Sequence, residues 1–271
     1  SGASTMNGID GKVAIVTGGA QSIGARVVRA FHRAGARVVI ADIAEDPGRA
    51  LAAELGEGAH FQRTDIGRDE DIAACVAATV ATFGGLDFVI NAACTYLDDG
   101  FASGREDWLR SLDVNLVGGV MMVRAAHPHM VARGGGAVVN FGSISGKVAQ
   151  TGRWLYPAAK AAIAQVTRSQ AMDLARDRIR VNSVSPGWTW CRLMDEWTGG
   201  DRARTDQVAG PFHLLGRVGD GDEIADAALF LCSEHASFIT GADLPVDGGY
   251  SAMGPEQAAP AIAALIDGSS T

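Results

Sequence analysis

The chain has 271 residues, of which 47% are hydrophobic and 20% charged, and its formal net charge is −8. Such a chain can bury a full core at the upper end of one α/β domain, and its negative balance disfavours nucleic acid, whose binders concentrate positive charge on one face. No apolar run approaches the roughly eighteen residues of a membrane span, and no basic segment leads into an apolar stretch and cleavage site, so a soluble, cytoplasmic protein without a membrane partner is expected.

The opening SGAST precedes Met6 and has no core-like pattern, so residues 1–10 are read as an appended tag outside the fold. Short β-branched runs follow: VAIVT (13–17), RVVIAD (37–42), LDFVINA (86–92), AVVNFGS (137–143), IRVNSVSP (179–186) and DLPVD (243–247). Between them lie apolar residues at helical spacing, as in ARVVRAFHRAGA and DIAACVAATVATFG. Alternating strand and helix predict an α/β domain over residues 11–250: a parallel sheet of about seven strands with helices on both faces. Right-handed crossovers make it doubly wound, with ligands at the carboxyl ends of the strands.

Residues 188–219 are the least regular stretch and read as a functional lid. The extension 251–271 contains APAIAALI, an apolar helix-like piece expected to pack on a neighbouring subunit or over the chain's own active site. Cys75, Cys94, Cys191 and Cys232 lie far apart with no C-x-x-C, which predicts reduced thiols and no metal site.

VAIVTGGAQSIGARVVRAF reads as strand, small-residue turn and helix, a place where open N–H groups and the helix dipole suit a pyrophosphate. Gly18 and Gly24 frame the turn without matching G-x-G-x-x-G. Asp42 closes the second run 18 positions beyond Gly24, where an acid accepts hydrogen bonds from an adenosine ribose and repels a 2′-phosphate. That predicts NAD over NADP.

In RWLYPAAK (153–160), Pro157 fits a first helical turn, which leaves Tyr156 and Lys160 one turn apart on one face. Bringing a tyrosine from its ordinary pKa near 10 to roughly 7 takes about 4 kcal/mol of preference for the phenolate. A nearby ammonium and a cationic nicotinamide are the groups that would supply it, making a proton acceptor near neutral pH.

TGGAQSIG resembles T-G-x-x-x-G-I-G, NAA at 91–93 resembles N-A-G, Asn115 sits in LDVNL, Ser143 ends VVNFGS, YPAAK fits Y-x-x-x-K, and PG at 186–187 follows RVNSVS. In order and spacing, from about Gly11 to Tyr250, this resembles a short-chain dehydrogenase/reductase. The resemblance implies a Rossmann-like fold, a homotetramer, and a catalytic set of Ser143, Tyr156, Lys160 and Asn115. Tyr156 would be the general acid/base, Lys160 would lower its pKa and hold the nicotinamide ribose, Ser143 would bind the substrate oxygen, and Asn115 would hold a water beside Lys160. Cofactor contacts would come from Gly18, Gln21, Ser22, Ile23 and Gly24, from Asp42, Asp65 and Ile66, from Asn91, Ala92 and Ala93, from Tyr156 and Lys160, and from Pro186, Gly187 and Thr189. Ser22 and Ala93 replace family glycines, and Cys191 falls where the family often has a threonine.

Thr95, Tyr96, Trp154 and Trp188 are the substrate-pocket candidates, joined by Trp190 and Trp197; aromatic walls suit a ring-containing, partly apolar molecule, or else they pack the lid or a subunit interface. Arg192 and Arg202 are the candidates for pairing with a substrate carboxylate. The expected reaction is NAD-dependent oxidation of a secondary alcohol on a ring, such as a cyclic alcohol or dihydrodiol, to the ketone. The alternatives are an NADPH-dependent carbonyl reductase of the acyl-carrier type and a catalytically silent dinucleotide-binding sensor.

Overall fold

A computed structural model describes residues 6–255. Seven strands, β1 (Val13–Thr17), β2 (Arg37–Asp42), β3 (Ala59–Arg63), β4 (Phe88–Asn91), β5 (Gly136–Phe141), β6 (Ile179–Pro186) and β7 (Asp243–Val246), make one sheet in the order β3-β2-β1-β4-β5-β6-β7. Every pairing is parallel. Helices α1 (Ser22–Arg33), α2 (Glu45–Leu55), α3 (Asp69–Phe83), α4 (Arg105–Leu112), α5 (Gly118–Ala132), α6 (Leu155–Leu174), α7 (Arg192–Thr198), α8 (Arg202–Ala209) and α9 (Gly221–Cys232) complete the described chain.

The central strands are apolar along their whole length because both faces are covered. Alternation along β1 sends Ala14 and Val16 to one core, with Val27 and Phe31 of α1 and Ile224 of α9, and Val13 and Ile15 to the other, with Ile72 of α3 and Met122 of α5. Between β1 and β4 the strand order reverses, with Thr17 paired to Asn91 at their carboxyl ends. A crevice opens at such a reversal, and it sets the place of the site.

Three segments depart from the sequence reading. Of residues 1–10, read as a tag outside the fold, Ile9 is fully buried in the core and the Asn7 carbonyl accepts from the Glu234 N–H at 2.9 Å, contacts made with a distant part of the chain that no local pattern shows. β3, AHFQR, is absent from the β-branched runs because it is an edge strand with only Phe61 buried, so its composition carries little apolar signal. The stretch 188–219, read as irregular, holds α7 and α8. α7 buries no residue and α8 only Thr205 and Ala209, too few for an apolar period to show. Of the C-terminal extension, the APAIAALI piece lies outside the described residues.

At the opposite end of β4 from Asn91, the Asp87 side chain is buried beneath the sheet edge. It accepts hydrogen bonds from the Val13 N–H at 2.9 Å and from Arg133 Nε and Nη2, both at 3.1 Å, with Lys12 Nζ 3.7 Å away. Removing it leaves a guanidinium and a strand N–H without their acceptor. We expect Asp87→Ala to lose about 3 kcal/mol in denaturant unfolding while the affinity for dinucleotide stays unchanged.

Candidate active site

The turn after β1 is shaped by close backbone approach. Gly18 has φ +64°, and a Cβ there would stand 2.7 Å from Ala93 Cα; one on Gly24 would stand 1.9 Å from the Gly18 carbonyl oxygen. Ser22, in place of a family glycine, sits at φ +49°, a left-handed conformation that costs a side-chain-bearing residue about 1 kcal/mol. The serine is accommodated, under strain. Gln21 makes no side-chain cap to α1 and the first turn holds no acid, so the leading N–H groups, Ile23 included, are left to an external anion.

Asp42 Oδ2 accepts from the Ala20 N–H at 3.0 Å and Oδ1 from the Ala44 N–H at 2.9 Å. It therefore closes two turns, and each oxygen keeps a lone pair for a ribose hydroxyl. Thr17 Oγ1 accepts from the N–H groups of Ala92 and Ala93 at 3.1 and 3.2 Å, tying the end of β1 to the loop after β4. Asp65 Oδ1 is engaged by the Gly67 N–H at 2.9 Å, and Ile66 is buried behind it. At the end of β6 the Gly187 N–H reaches the Val246 carbonyl at 3.1 Å, and Thr189 Oγ1 donates to the Gly187 carbonyl at 3.1 Å. This cradle, with glycines where a Cβ would clash, an open helix start and a carboxylate at the second strand, fits a dinucleotide.

The four expected catalytic residues converge. Asn115 lies in a π-helical turn, Asp113–Val117, between α4 and α5, a local geometry that recurs at functional sites. Its amide is committed to Thr95, accepting from the Thr95 N–H at 2.8 Å and donating to the Thr95 carbonyl at 3.0 Å. Asn115 and Lys160 line one small cavity with Asn91 and Asn140, of about 10 Å³, on the order of the space one water occupies. Lys160 is buried, and its Nζ donates to the Phe141 carbonyl at 2.7 Å and lies 5.4 Å from the Tyr156 ring centroid. Ser143, just past β5, accepts from the Ser145 N–H at 3.0 Å through Oγ, which leaves its hydroxyl proton for the Tyr156 oxygen or for a ligand oxygen.

Burial pushes the Tyr156 phenol upward, while the Ser143 hydroxyl and the Arg153 guanidinium favour the phenolate. Burial also pushes the Lys160 ammonium below the ordinary lysine value. Burial and charge thus act in opposite senses on the phenol, and added positive charge in the cleft would shift the balance toward the phenolate.

Two residues that hold Tyr156 escaped the sequence reading. Asp98 accepts from the N–H groups of Gly100, Trp154 and Tyr156 at 3.0, 2.9 and 3.0 Å, capping α6 from 58 residues upstream of Tyr156. Burial works against this carboxylate, but those backbone donors outweigh it and hold its pKa below the usual range. Arg153 places its guanidinium carbon 5.3 Å from the Tyr156 ring centroid. No local pattern marks Asp98, and Arg153 carries no signal beyond standing beside Tyr156.

The aromatic candidates divide. Tyr96 stacks on Tyr156, with centroids 5.3 Å apart and planes at 29°, and Trp154 meets Phe101 edge-on at 5.7 Å. Trp188 instead packs on Phe212 at 6.1 Å, and its N–H donates to His213 Nε2 at 3.3 Å; Trp190 stacks under Arg202. His213, itself buried, turns Nδ1 to the Ala209 carbonyl at 2.8 Å. Cys191 stands at the start of α7. The two arginines expected to meet a carboxylate are engaged elsewhere: Arg192 with Glu196 at 2.6 Å, and Arg202 with Asp206, Asp220 and the Val218 carbonyl.

A family model described as Enoyl-(Acyl carrier protein) reductase matches residues 18–251. The L-fucose dehydrogenase of Oryctolagus cuniculus is 40% identical over 257 residues, covering 91% of this chain and 87% of the relative. The chain is a short-chain dehydrogenase/reductase. Within this family it also resembles the cis-4-hydroxycyclohexanecarboxylate dehydrogenase of Sinomonas cyclohexanicum, 39% identical over 253 residues, covering 89% and 97% of the two chains. Among solved structures, one described as the crystal structure of gox2181 superposes with a TM-score of 0.83 at 32% identity, covering 90% of this chain and 97% of that one. The short-chain dehydrogenase/reductase is thus an oxidoreductase of CH–OH groups that uses a nicotinamide cofactor.

In this short-chain dehydrogenase/reductase, Asp98 is the single acceptor for the α6 N–H groups on either side of Leu155. Asp98→Ala is expected to cost about 2 kcal/mol of stability and to lower kcat, since Tyr156 loses its anchor. Asp98→Asn, which keeps one acceptor oxygen but turns an NH2 donor toward the N–H groups served by the other, should recover only part of the loss in thermal unfolding and in turnover.

Proposed function

We propose that this enzyme oxidises a secondary alcohol on a ring to the ketone, with NAD as cofactor and Tyr156 as general base. The observation that carries the reading is the buried cluster of Tyr156, Ser143 and Lys160 at the carboxyl edge of the sheet, beside a dinucleotide cradle. A bound oxidised nicotinamide supplies the hydride acceptor and a positive charge. Ser143 would hold the substrate oxygen with its hydroxyl proton, and the Tyr156 phenolate would take the hydroxyl proton of the alcohol while the carbinol hydrogen leaves its carbon as hydride, with both electrons of the C–H bond, so that the O–H electrons close the carbonyl. Lys160 keeps positive charge next to the ring, and the cavity it shares with Asn115 gives the proton a route onward.

Asp42 supports NAD, because its carboxylate faces the ribose position with lone pairs to accept hydroxyls and charge to repel a 2′-phosphate. Both named relatives are dehydrogenases whose names denote hydroxylated ring molecules, and the exposed aromatics Tyr96, Trp154 and Phe101 near Tyr156 suit such a ring. A homotetramer is the assembly that the family resemblance implies, and the exposed apolar side chains of Leu109 on α4 and Met172 on α6 would be covered by subunit contacts through those helices.

Following cofactor absorbance with NAD and NADP against a panel of cyclic alcohols separates this reading from an NADPH-dependent reductase, which would favour NADP, and from a silent sensor, which would turn nothing over. Tyr156→Phe should lower turnover about hundredfold or more and leave NAD affinity nearly intact; retained turnover refutes the assigned role. Asp42→Ala should raise the use of NADP relative to NAD about tenfold. Because burial raises the phenol, alcohol oxidation should climb as pH moves from neutral to alkaline, whereas ketone reduction, which needs the protonated phenol, should decline.

A further inference from the structure

Arg153 stands in the bend before α6, three residues ahead of Tyr156. Its side chain is 37% exposed, yet its Nε is sealed from solvent and has no hydrogen-bond partner. The nearest carboxylate, Asp98, leaves 3.7 Å between Nε and Oδ2, beyond a hydrogen bond, and its oxygens already serve the N–H groups of Gly100, Trp154 and Tyr156. With Nε sealed and Asp98 engaged, the Nη side of the guanidinium is the part left open to a ligand, its carbon 5.3 Å from the Tyr156 ring centroid.

We infer that Arg153 receives an anionic oxygen group, a carboxylate, carried by the substrate beyond the carbinol carbon that faces Tyr156. A guanidinium matches the two oxygens of a carboxylate with two parallel N–H donors, a geometry that an ammonium cannot reproduce. Asp98 offsets the cation in the free enzyme but leaves its hydrogen bonds open, so an arriving anion finds a charge already placed and donors already oriented. The adjoining edge-on pair of Trp154 and Phe101 offers apolar area for the ring that bears the carboxylate. The preferred substrate class is therefore a hydroxylated ring acid rather than a neutral alcohol. This rests on the reading of Tyr156 as the alcohol-oxidising centre.

The first test needs no turnover: calorimetric titration of the wild-type enzyme, loaded with reduced cofactor, with cyclohexanecarboxylate and with its neutral isostere cyclohexanecarboxamide. The acid is expected to bind about tenfold tighter or more, Arg153→Gln to erase the preference, and Arg153→Lys to keep part of it. Equal wild-type affinities, or a preference that survives Arg153→Gln, overturn the inference. The second test compares a carboxylate-bearing cyclic alcohol with its methyl ester. Arg153→Gln should cut the acid-to-ester ratio of kcat/KM about tenfold, even where a weakened phenolate slows both substrates. An unchanged ratio speaks against the carboxylate contact. If neither compound is oxidised, the dehydrogenase reading fails, and the titration still decides the role of Arg153.

Discussion

The site depends on one carboxylate that performs no chemistry. Asp98 reaches from the loop after β4 to the start of α6 and accepts the backbone N–H groups of Trp154 and Tyr156. It acts as a helix cap supplied from a distant part of the chain, since Trp154, at the cap position, offers no side-chain acceptor of its own. The same loop is gripped a second time, where Asn115 exchanges two hydrogen bonds with the backbone of Thr95. Between these anchors lies Tyr96, whose ring stacks on Tyr156. A π-helical turn, a loop and a helix start are thereby fixed relative to one phenol, and the placement of the other reacting groups follows.

Electrostatics within this frame oppose the resting enzyme's readiness to act. Burial favours the neutral phenol at Tyr156 and weakens the ammonium at Lys160, whose hydrogen bond goes to the Phe141 carbonyl. Low local polarity also strengthens any charge brought into the cleft. The groups that favour the phenolate, Ser143 and Arg153, come from opposite sides in sequence: one from the end of β5, the other from the bend before α6. Lys160 stands one helical turn on, with Nζ 5.4 Å from the Tyr156 ring centroid, but its hydrogen bond goes to the Phe141 carbonyl and it is not among the groups that shift the phenol.

Much of this was legible in the sequence because it is local. The central strands announce themselves through unbroken apolar runs, and the dinucleotide turn, Ser143, and the Tyr156–Lys160 pair each sit in short motifs whose spacing reflects backbone geometry. What escaped is either polar or non-local. β3 is an edge strand with one buried side chain, and α7 and α8 bury too little to leave an apolar period. Asp98 acts on residues 56 and 58 positions away, a relation visible only once the loop is folded back. Arg192 and Arg202 looked like anion receptors because arginines in a flexible-looking stretch have no evident partners in a sequence; folded, they pair with acids of their own segment.

The distribution of satisfied and unsatisfied groups separates two halves of the molecule. At the amino end of β4, Asp87 is saturated by a strand N–H and a guanidinium. Among the described residues, the buried side-chain polar atoms left without a partner are Asn91 Oδ1 and Arg153 Nε, and both lie at the other end, around the cleft. Around the cleft, Asp98 is the point where stability and the placement of Tyr156 meet. Substitutions on the cleft side that spare Asp98 can change what the pocket receives while the floor beneath it stays the same, so one scaffold can be refitted without being rebuilt.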